Sequence, residues 1–187
     1  MDIVESVKEY VIRQSDEYKA DASDHYDFWN EHIKYVLEES VKLANEYGAD
    51  IEIVSLGALL HDIALINKIG DRKDHHVNGE LIARKVLYNL GYDSGKKERV
   101  LKCVYNHRSS KNAEIIEETC VADADVLAHF DNIPMLFHSA FIRNGVELND
   151  INKWLEEAFE KDYNDLSDKT KESFRNRYEL IKDILIR

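Results

Sequence analysis

Histidine and aspartate side chains occur at several places in this sequence where the neighbouring residues are apolar. The clearest case is the adjacent pair His61 and Asp62, inside the otherwise apolar run from Gly57 to Ile66. Burial of an unpartnered carboxylate is strongly unfavourable. A divalent cation would neutralise the carboxylate and bind the imidazole, whereas a self-satisfied hydrogen-bonded pair is the alternative. The pair therefore predicts a buried metal site or a polar core pair.

Further candidates of the same types lie on other predicted helices: His32, His75, His76, His107, Asp123 and Asp125. Each alone has a structural alternative, namely a hydrogen-bonded core histidine, an N-cap or a buried ion pair. Helical bundles, however, build metal sites from side chains on facing helices. Their recurrence on separate helices favours a shared metal site. The remaining histidines are interpreted as structural or surface residues: His25, His129 and His138.

The elements that must position these side chains are helices. The chain has one proline and seven glycines, and apolar residues recur every three or four positions. The pattern predicts an all-α fold over residues 1–187, with Gly48 ending the second helix, Asp50 capping the third and Ser167 capping the last. On a single third helix, His61 and Asp62 would point about 100° apart, so both would have to bend toward a common ion. Helices are predicted around 4–12, 28–44, 50–66, 75–91, 100–106, 115–130, from Pro134, around 154–159 and after Ser167, with a loop over 163–170.

Composition limits the partners of this chain. Its net charge is −12 over 187 residues, which disfavours unaided binding to a nucleic acid polymer or an anionic membrane. A phosphate substrate would need a metal or a local basic cluster. No signal pattern or membrane-length apolar run is present, and the two cysteines, Cys103 and Cys120, are expected to be reduced thiols of a cytoplasmic protein.

Basic residues near the candidate ligands could supply that local charge. Arg108 follows His107 directly, and its planar guanidinium suits phosphate oxygens. A solvated surface position is the alternative for each of these residues. The other candidates are Lys68, Arg72, Lys73 and Lys111.

The ordered motifs resemble the HD-domain metal-dependent phosphohydrolase superfamily. The resemblance spans about residues 25–130, and its signature is Leu-Gly-Ala-Leu-Leu-His-Asp-Ile at 56–63. Four further segments add to it: Glu-His-Ile-Lys-Tyr-Val at 31–36, His-His-Val-Asn-Gly-Glu-Leu-Ile-Ala at 75–83, Asn-His-Arg at 106–108 and Ala-Asp-Val-Leu at 124–127.

The resemblance implies a helical bundle with a metal site in its core between helices, and C-terminal helices packed on it. The implied ligands are His32, His61, Asp62 and Asp125, while His75 and His107 would hold a second ion or contact substrate phosphate. Asp62 would also orient the attacking water, and His75 or His107 would act as acid or base. Asp123 would be an outer partner of the site or a helix cap. Mn²⁺, Fe²⁺, Co²⁺, Ni²⁺ or Zn²⁺ would suit this nitrogen-rich set better than Mg²⁺.

The implied activity is hydrolysis of a small phosphate ester or anhydride, with a nucleotide as the expected substrate, by metal-activated water. Arg108, Lys68 and Arg72 would bind the substrate. Two alternatives remain open: a di-iron oxygenase, which uses the same ligand types, and a non-catalytic nucleotide sensor. An exposed apolar face on a terminal helix also leaves a homodimer open.

Overall fold

Helices form the regular structure of the part of the chain that the computed structural model describes, residues 2–92 and 95–186, in which no strand occurs. The all-α prediction is confirmed. The α-helices in these ranges are α1 (Ile3–Asp21), α2 (Lys34–Tyr47), α3 (Ile51–Leu60), α4 (Ile63–Ile66), α5 (His75–Asn89), α6 (Lys97–Asn106), α7 (Ile116–Asp131), α8 (Ile133–His138), α9 (Ile151–Asp165) and α10 (Asp168–Leu185).

Three helix boundaries follow directly from local chemistry. The Asp50 carboxylate accepts hydrogen bonds from the first backbone N–H groups of α3, and the Ser167 hydroxyl accepts one from the start of α10. Gly48 ends α2 with a φ of 73°, a left-handed conformation that glycine adopts without strain. These three predicted boundaries are confirmed.

The prediction of one continuous third helix was wrong. Helix α3 ends at Leu60, and Asp62 has φ −101° and ψ 15°, outside the α-helical region. The short helix α4 then begins at Ile63, and the Asp62 carbonyl accepts hydrogen bonds from the first turn of this helix. This break removes the 100° divergence expected for adjacent helical residues, so the Nε2 atom of His61 lies 3.7 Å from the Oδ2 atom of Asp62.

A second irregular element carries His32. The π-helical turn Trp29–Ile33 precedes α2, and the Trp29 backbone N–H donates to the Ser15 hydroxyl of α1 at 2.9 Å. Such turns are frequent at functional sites because they redirect a single side chain. Here the turn places the buried His32 ring toward α3 and α7.

Helix α3 runs through the centre of the core, with all residues from Ile53 to Leu60 buried. It packs against α1, α2, α6 and α7. It approaches α6 closely at Gly57, where an added Cβ atom would lie 2.6 Å from the Cβ atom of Cys103. The cluster of buried apolar side chains around α3 includes residues of α1 to α10. The core therefore holds the end of α3, and with it His61, in a fixed position.

The C-terminal helices pack back on the bundle, as predicted. Phe130 of α7 lies 5.1 Å from Phe159 of α9 and 5.0 Å from Phe174 of α10, between ring centroids. The predicted helix at 154–159 is longer than expected, because α9 extends over Ile151–Asp165. The predicted loop over 163–170 was correspondingly too long. Within residues 2–92 and 95–186, no helix combines the length and apolar character of a membrane span.

Candidate metal centre

Two histidines and two aspartates from four elements meet in the core. The Nε2 atom of His32 lies 3.1 Å from the Nε2 atom of His61 and 3.0 Å from the Oδ1 atom of Asp125. The Oδ2 atom of Asp62 is 3.8 Å from the His32 nitrogen and 3.7 Å from the His61 nitrogen. Ligand atoms held about 2.1 Å from one ion lie roughly 3 to 4 Å apart. These four predicted ligands therefore have the spacing of a coordination sphere.

A second group lies on the other side of the same aspartate. The Oδ1 atom of Asp62 is 3.3 Å from the Nε2 atom of His75 and 3.9 Å from that of His107. These two nitrogens are 2.9 Å from each other. The two carboxylate oxygens of Asp62 thus face two different groups of histidine nitrogens, which is the placement of a bridging ligand.

Backbone hydrogen bonds fix the tautomers of three histidines. In His61, His75 and His107, the Nδ1 atom lies 2.6 to 2.7 Å from the carbonyl oxygen three residues earlier in the chain. A carbonyl oxygen only accepts, so Nδ1 carries the proton and the Nε2 lone pair of the neutral ring faces the centre. Burial lowers the pKa of His107 to about 4, which favours this neutral form.

This arrangement fits a metal ion. The facing Nε2 lone pairs of His75 and His107 repel each other at 2.9 Å unless a cation lies between them. His32 lacks a backbone partner, since its buried Nδ1 atom has no hydrogen bond within the described part of the chain. The orientation of His32 therefore depends on the contacts of its Nε2 atom.

The two central carboxylates are held in their charged form. Burial alone would raise the pKa of Asp62, but His61, His32, His75 and His107 together lower it to about 2. Burial likewise opposes ionisation of Asp125, whereas the hydrogen bond from the His32 ring and the electrostatic interaction with the His61 ring hold the pKa of this carboxyl well below its usual range. Both carboxylates are thus ready to bind a cation at neutral pH.

The centre opens into a cavity of about 450 Å³. One wall is apolar and includes Tyr26, Phe28 and Met135. Cationic side chains form another wall of the cavity, and this wall is a local exception in a protein of net charge −12. The arginine and lysine side chains that line the cavity, among the described residues, are Arg72, Lys73, Arg108, Arg143 and Lys161.

The structure brings most predicted substrate residues to this cavity, but not Lys68. Arg72 and Arg108 line it, and the Nη1 atom of Arg108 donates to the Lys73 carbonyl at 3.1 Å. The Lys68 ammonium instead lies over the Tyr18 ring at 4.9 Å. Lys68 is therefore not among the side chains that line the cavity, and its contact with the substrate stays a prediction.

Three other candidates from the sequence do not line the cavity. Lys111 pairs with Asp165 rather than lining the cavity, and His76 lies beside the Tyr105 ring, apart from the ligand group. Asp123 is not an outer partner of the centre. Its carboxylate accepts hydrogen bonds from the Ser167 backbone N–H at 2.8 Å and from the hydroxyls of Ser167 and Thr170 at 2.5 Å. Asp123 thus holds Ser167, the N-cap residue of α10, and the first turn of that helix in place.

His129 and Arg143 line the cavity although sequence reasoning did not place them there. The interpretation of His129 as only a structural or surface residue was incomplete. The Nδ1 atom of His129 lies 2.7 Å from the Oδ2 atom of Asp162, which raises the pKa of His129 to about 9 although burial opposes the shift. The spacing of four residues from Asp125 was the one available signal, since it places both side chains on one helix face.

A family model described as "HD domain" matches residues 30–129, more than half of the chain. The chain belongs to the HD domain family. The matched segment contains all six candidate ligands, from His32 to Asp125.

Two solved structures share the fold over nearly the whole chain. One is a protein of an uncultured Thermotogales bacterium described as a predicted HD superfamily hydrolase, with 18% identity, a TM-score of 0.64, and coverage of 98% of this chain and 95% of that one. The other is a protein of Bacillus thuringiensis described as an HD-superfamily hydrolase, with 19% identity, a TM-score of 0.66, and coverage of 97% and 94%. No curated protein matches this chain.

Proposed function

We propose that this HD-domain protein is a metal-dependent phosphohydrolase that cleaves a small phosphate ester or anhydride, with a nucleotide as the expected substrate. The observation that carries the proposal is Asp62, whose two oxygens face two groups of histidine nitrogens beside a cavity lined by cationic side chains. The two HD-superfamily hydrolases with this fold support the same reaction class.

In this proposal two groups of residues hold two divalent transition-metal ions. His32, His61 and Asp125 would hold one ion, His75 and His107 the other, and Asp62 would bridge them. Bound there, such ions would lower the pKa of a water molecule toward neutrality and polarise the phosphoryl oxygen. The fixed Nδ1–H hydrogen bonds of His61, His75 and His107 would keep the ligand nitrogens aimed and basic.

The chain's own cations would bind the phosphate oxygens. Arg72 and Arg108 line the cavity, and so does Arg143, whose guanidinium lies 4.0 Å above the Tyr26 ring. The Nε atom of Arg143 is 3.6 Å from Asp24, but its buried Nη2 atom has no hydrogen-bond partner in the described structure. A donor in that state is costly unless a ligand accepts from it, so Arg143 suits an anionic group of the substrate.

The cationic wall favours a phosphate-bearing ligand over a neutral one, a preference that a phosphohydrolase and a nucleotide sensor would share. A neutral oxygenase substrate would leave these arginines without a role, whereas a phosphate ester or anhydride would pair with them. The two buried thiols, Cys103 and Cys120, support the further proposal that the enzyme acts in the cytoplasm.

A phosphate-release screen tests this function. The protein is loaded separately with Mn²⁺, Fe²⁺, Co²⁺, Ni²⁺ or Zn²⁺ and incubated with nucleoside mono-, di- and triphosphates, with an added inorganic pyrophosphatase in parallel so that released pyrophosphate is also counted. We expect release from at least one nucleotide, lost on addition of a chelator and in Asp62→Asn. Two tightly bound irons without phosphate release would point to an oxygenase, and tight nucleotide binding without turnover under every metal would point to a sensor.

A further inference from the structure

His129 occupies a position that the proposed phosphohydrolase centre does not use. It lies one helical turn after Asp125 on α7, and its ring is stacked on that of His32, with centroids 5.6 Å apart and an interplanar angle of 24°. One ligand atom each of His32, Asp125 and His129 can be chosen so that all three lie within 4.8 Å of one another. This proximity makes His129 a candidate member of the coordination sphere that His32 and Asp125 would share.

A carboxylate on another helix sets the orientation of the His129 ring. Asp162 of α9 is buried, and its Oδ2 atom accepts from the Nδ1 atom of His129 at 2.7 Å. Its other oxygen is 3.8 Å from the Lys161 ammonium. Because Nδ1 donates its proton to Asp162, Nε2 is the nitrogen of His129 that is available to bind a metal ion. Histidines that bind metals commonly donate their second N–H to a carboxylate in this manner.

We propose that His129 is an additional ligand of the ion held by His32 and Asp125, and that Asp162 is its positioning residue. This inference rests on the metal centre of the proposed function but does not depend on hydrolysis.

A consequence is that the two ion positions differ. The first would have five protein ligands: His32, His61, Asp62, Asp125 and His129. The second would have three, so that open coordination positions for water or substrate lie on the side of His75 and His107. An ion with few protein ligands is the one that can accept an exchangeable oxygen.

Cobalt(II) titration of the metal-free protein, followed by visible absorption without any substrate, tests this inference. His129→Ala is expected to weaken Co²⁺ binding at one position about tenfold or more and to change the absorption spectrum, because one nitrogen donor is lost. Asp162→Asn is expected to give a smaller loss, since the amide oxygen can still accept the Nδ1 proton without the negative charge. His25→Asn is the matched control, because it removes an exposed imidazole and keeps a residue that tolerates the positive φ of 48°.

His129→Gln and circular dichroism guard against a folding artefact, since glutamine keeps most of the side-chain volume. Unchanged Co²⁺ affinity and spectrum in a folded His129→Ala or His129→Gln protein would overturn the inference. If those variants bound Co²⁺ normally but showed a raised KM, His129 would instead contact the substrate. A wild-type protein that binds Co²⁺ through His129 but releases no phosphate would refute the proposed function while leaving this inference intact.

Discussion

Asp62 is the residue on which both halves of the centre depend, because its Oδ2 atom faces His61 and its Oδ1 atom faces His75. We predict that Asp62→Asn loses the ions at both positions, since the amide has no negative charge and one oxygen instead of two. Metal content after gel filtration, measured by inductively coupled plasma mass spectrometry, checks this. Retention of two ions per chain by Asp62→Asn would show that the carboxylate does not bridge them.

Asp123 offers a matched control for the centre, two residues from Asp125 but turned toward α10. Its fully buried carboxylate accepts three hydrogen bonds, from Ser167 and Thr170. We predict that Asp123→Ala retains bound metal but lowers the free energy of unfolding by about 2 to 3 kcal/mol, because buried donors lose a charged acceptor. Urea denaturation and metal content measure the two effects separately. Loss of metal with unchanged stability would reverse the roles given to Asp123 and Asp125.

Arg143 is the cavity cation with an unused buried donor. We predict that Arg143→Ala raises the KM for a hydrolysed nucleotide about tenfold, equivalent to about 1.4 kcal/mol, with a smaller change in kcat. Arg143→Lys should recover part of this loss, since it keeps the charge but not the planar donor pair. The exposed Arg175→Ala is the control, and equal KM values in the two alanine variants would remove Arg143 from the substrate site.

Sequence patterns predicted the residues of the centre that belong to a recognisable motif. They missed residues whose role depends on contacts with helices outside that motif. His32, His61, Asp62 and Asp125 come together as the resemblance implied. His129 was missed because its partner, Asp162, is 33 residues further along the chain and comes close to it only when α9 packs on α7. Nothing in the local sequence predicts that Lys68 stacks on Tyr18.

At the scale of elements, two irregular segments position His32, His61 and Asp62, the first three candidate ligands along the chain. The break after Leu60 lets the side chains of His61 and Asp62 approach each other, and the π-helical turn at Trp29–Ile33 directs His32 toward them. Apolar periodicity predicted the helices around both segments, but it carried no signal for the irregularities. Both irregular segments depend on long-range contacts, such as the hydrogen bond from the Trp29 backbone N–H to the Ser15 hydroxyl.

The contact between α3 and α6 supports the centre, because these helices carry His61 and His107 at their C-terminal ends. A Cβ atom at Gly57 would approach the Cys103 Cβ atom to 2.6 Å, so the helices would have to separate. We predict that Gly57→Ala lowers the free energy of unfolding by about 1 to 3 kcal/mol in urea denaturation.

Gly95→Ala is the matched control for this substitution and is expected to be nearly neutral, since no atom of the described residues lies within 4 Å of its added Cβ atom. Metal affinity of the Gly57→Ala protein should fall together with stability, because the ends of both helices would shift. A Gly57→Ala protein as stable as Gly95→Ala would contradict the close approach of α3 and α6.

At the scale of the whole molecule, charge is distributed unevenly. The chain carries a net charge of −12, yet cationic side chains line the cavity beside the carboxylates of Asp62 and Asp125. The acidic exterior disfavours polyanionic polymers, whereas the cavity attracts a small anion. Composition alone predicted the first property, but only the fold brings together Arg72, Arg108 and Arg143, which are up to 71 residues apart in sequence.

The proposed function requires that the protein holds two metal ions, one on each side of Asp62. Anomalous diffraction from a crystal grown with Mn²⁺ tests this claim. We predict two anomalous peaks, each about 2 to 2.4 Å from a carboxylate oxygen of Asp62. One should lie among His32, His61 and Asp125, and the other between His75 and His107. A well-occupied Mn²⁺ elsewhere in the crystal, with no peak within coordination distance of His61 and Asp62, would contradict the claim.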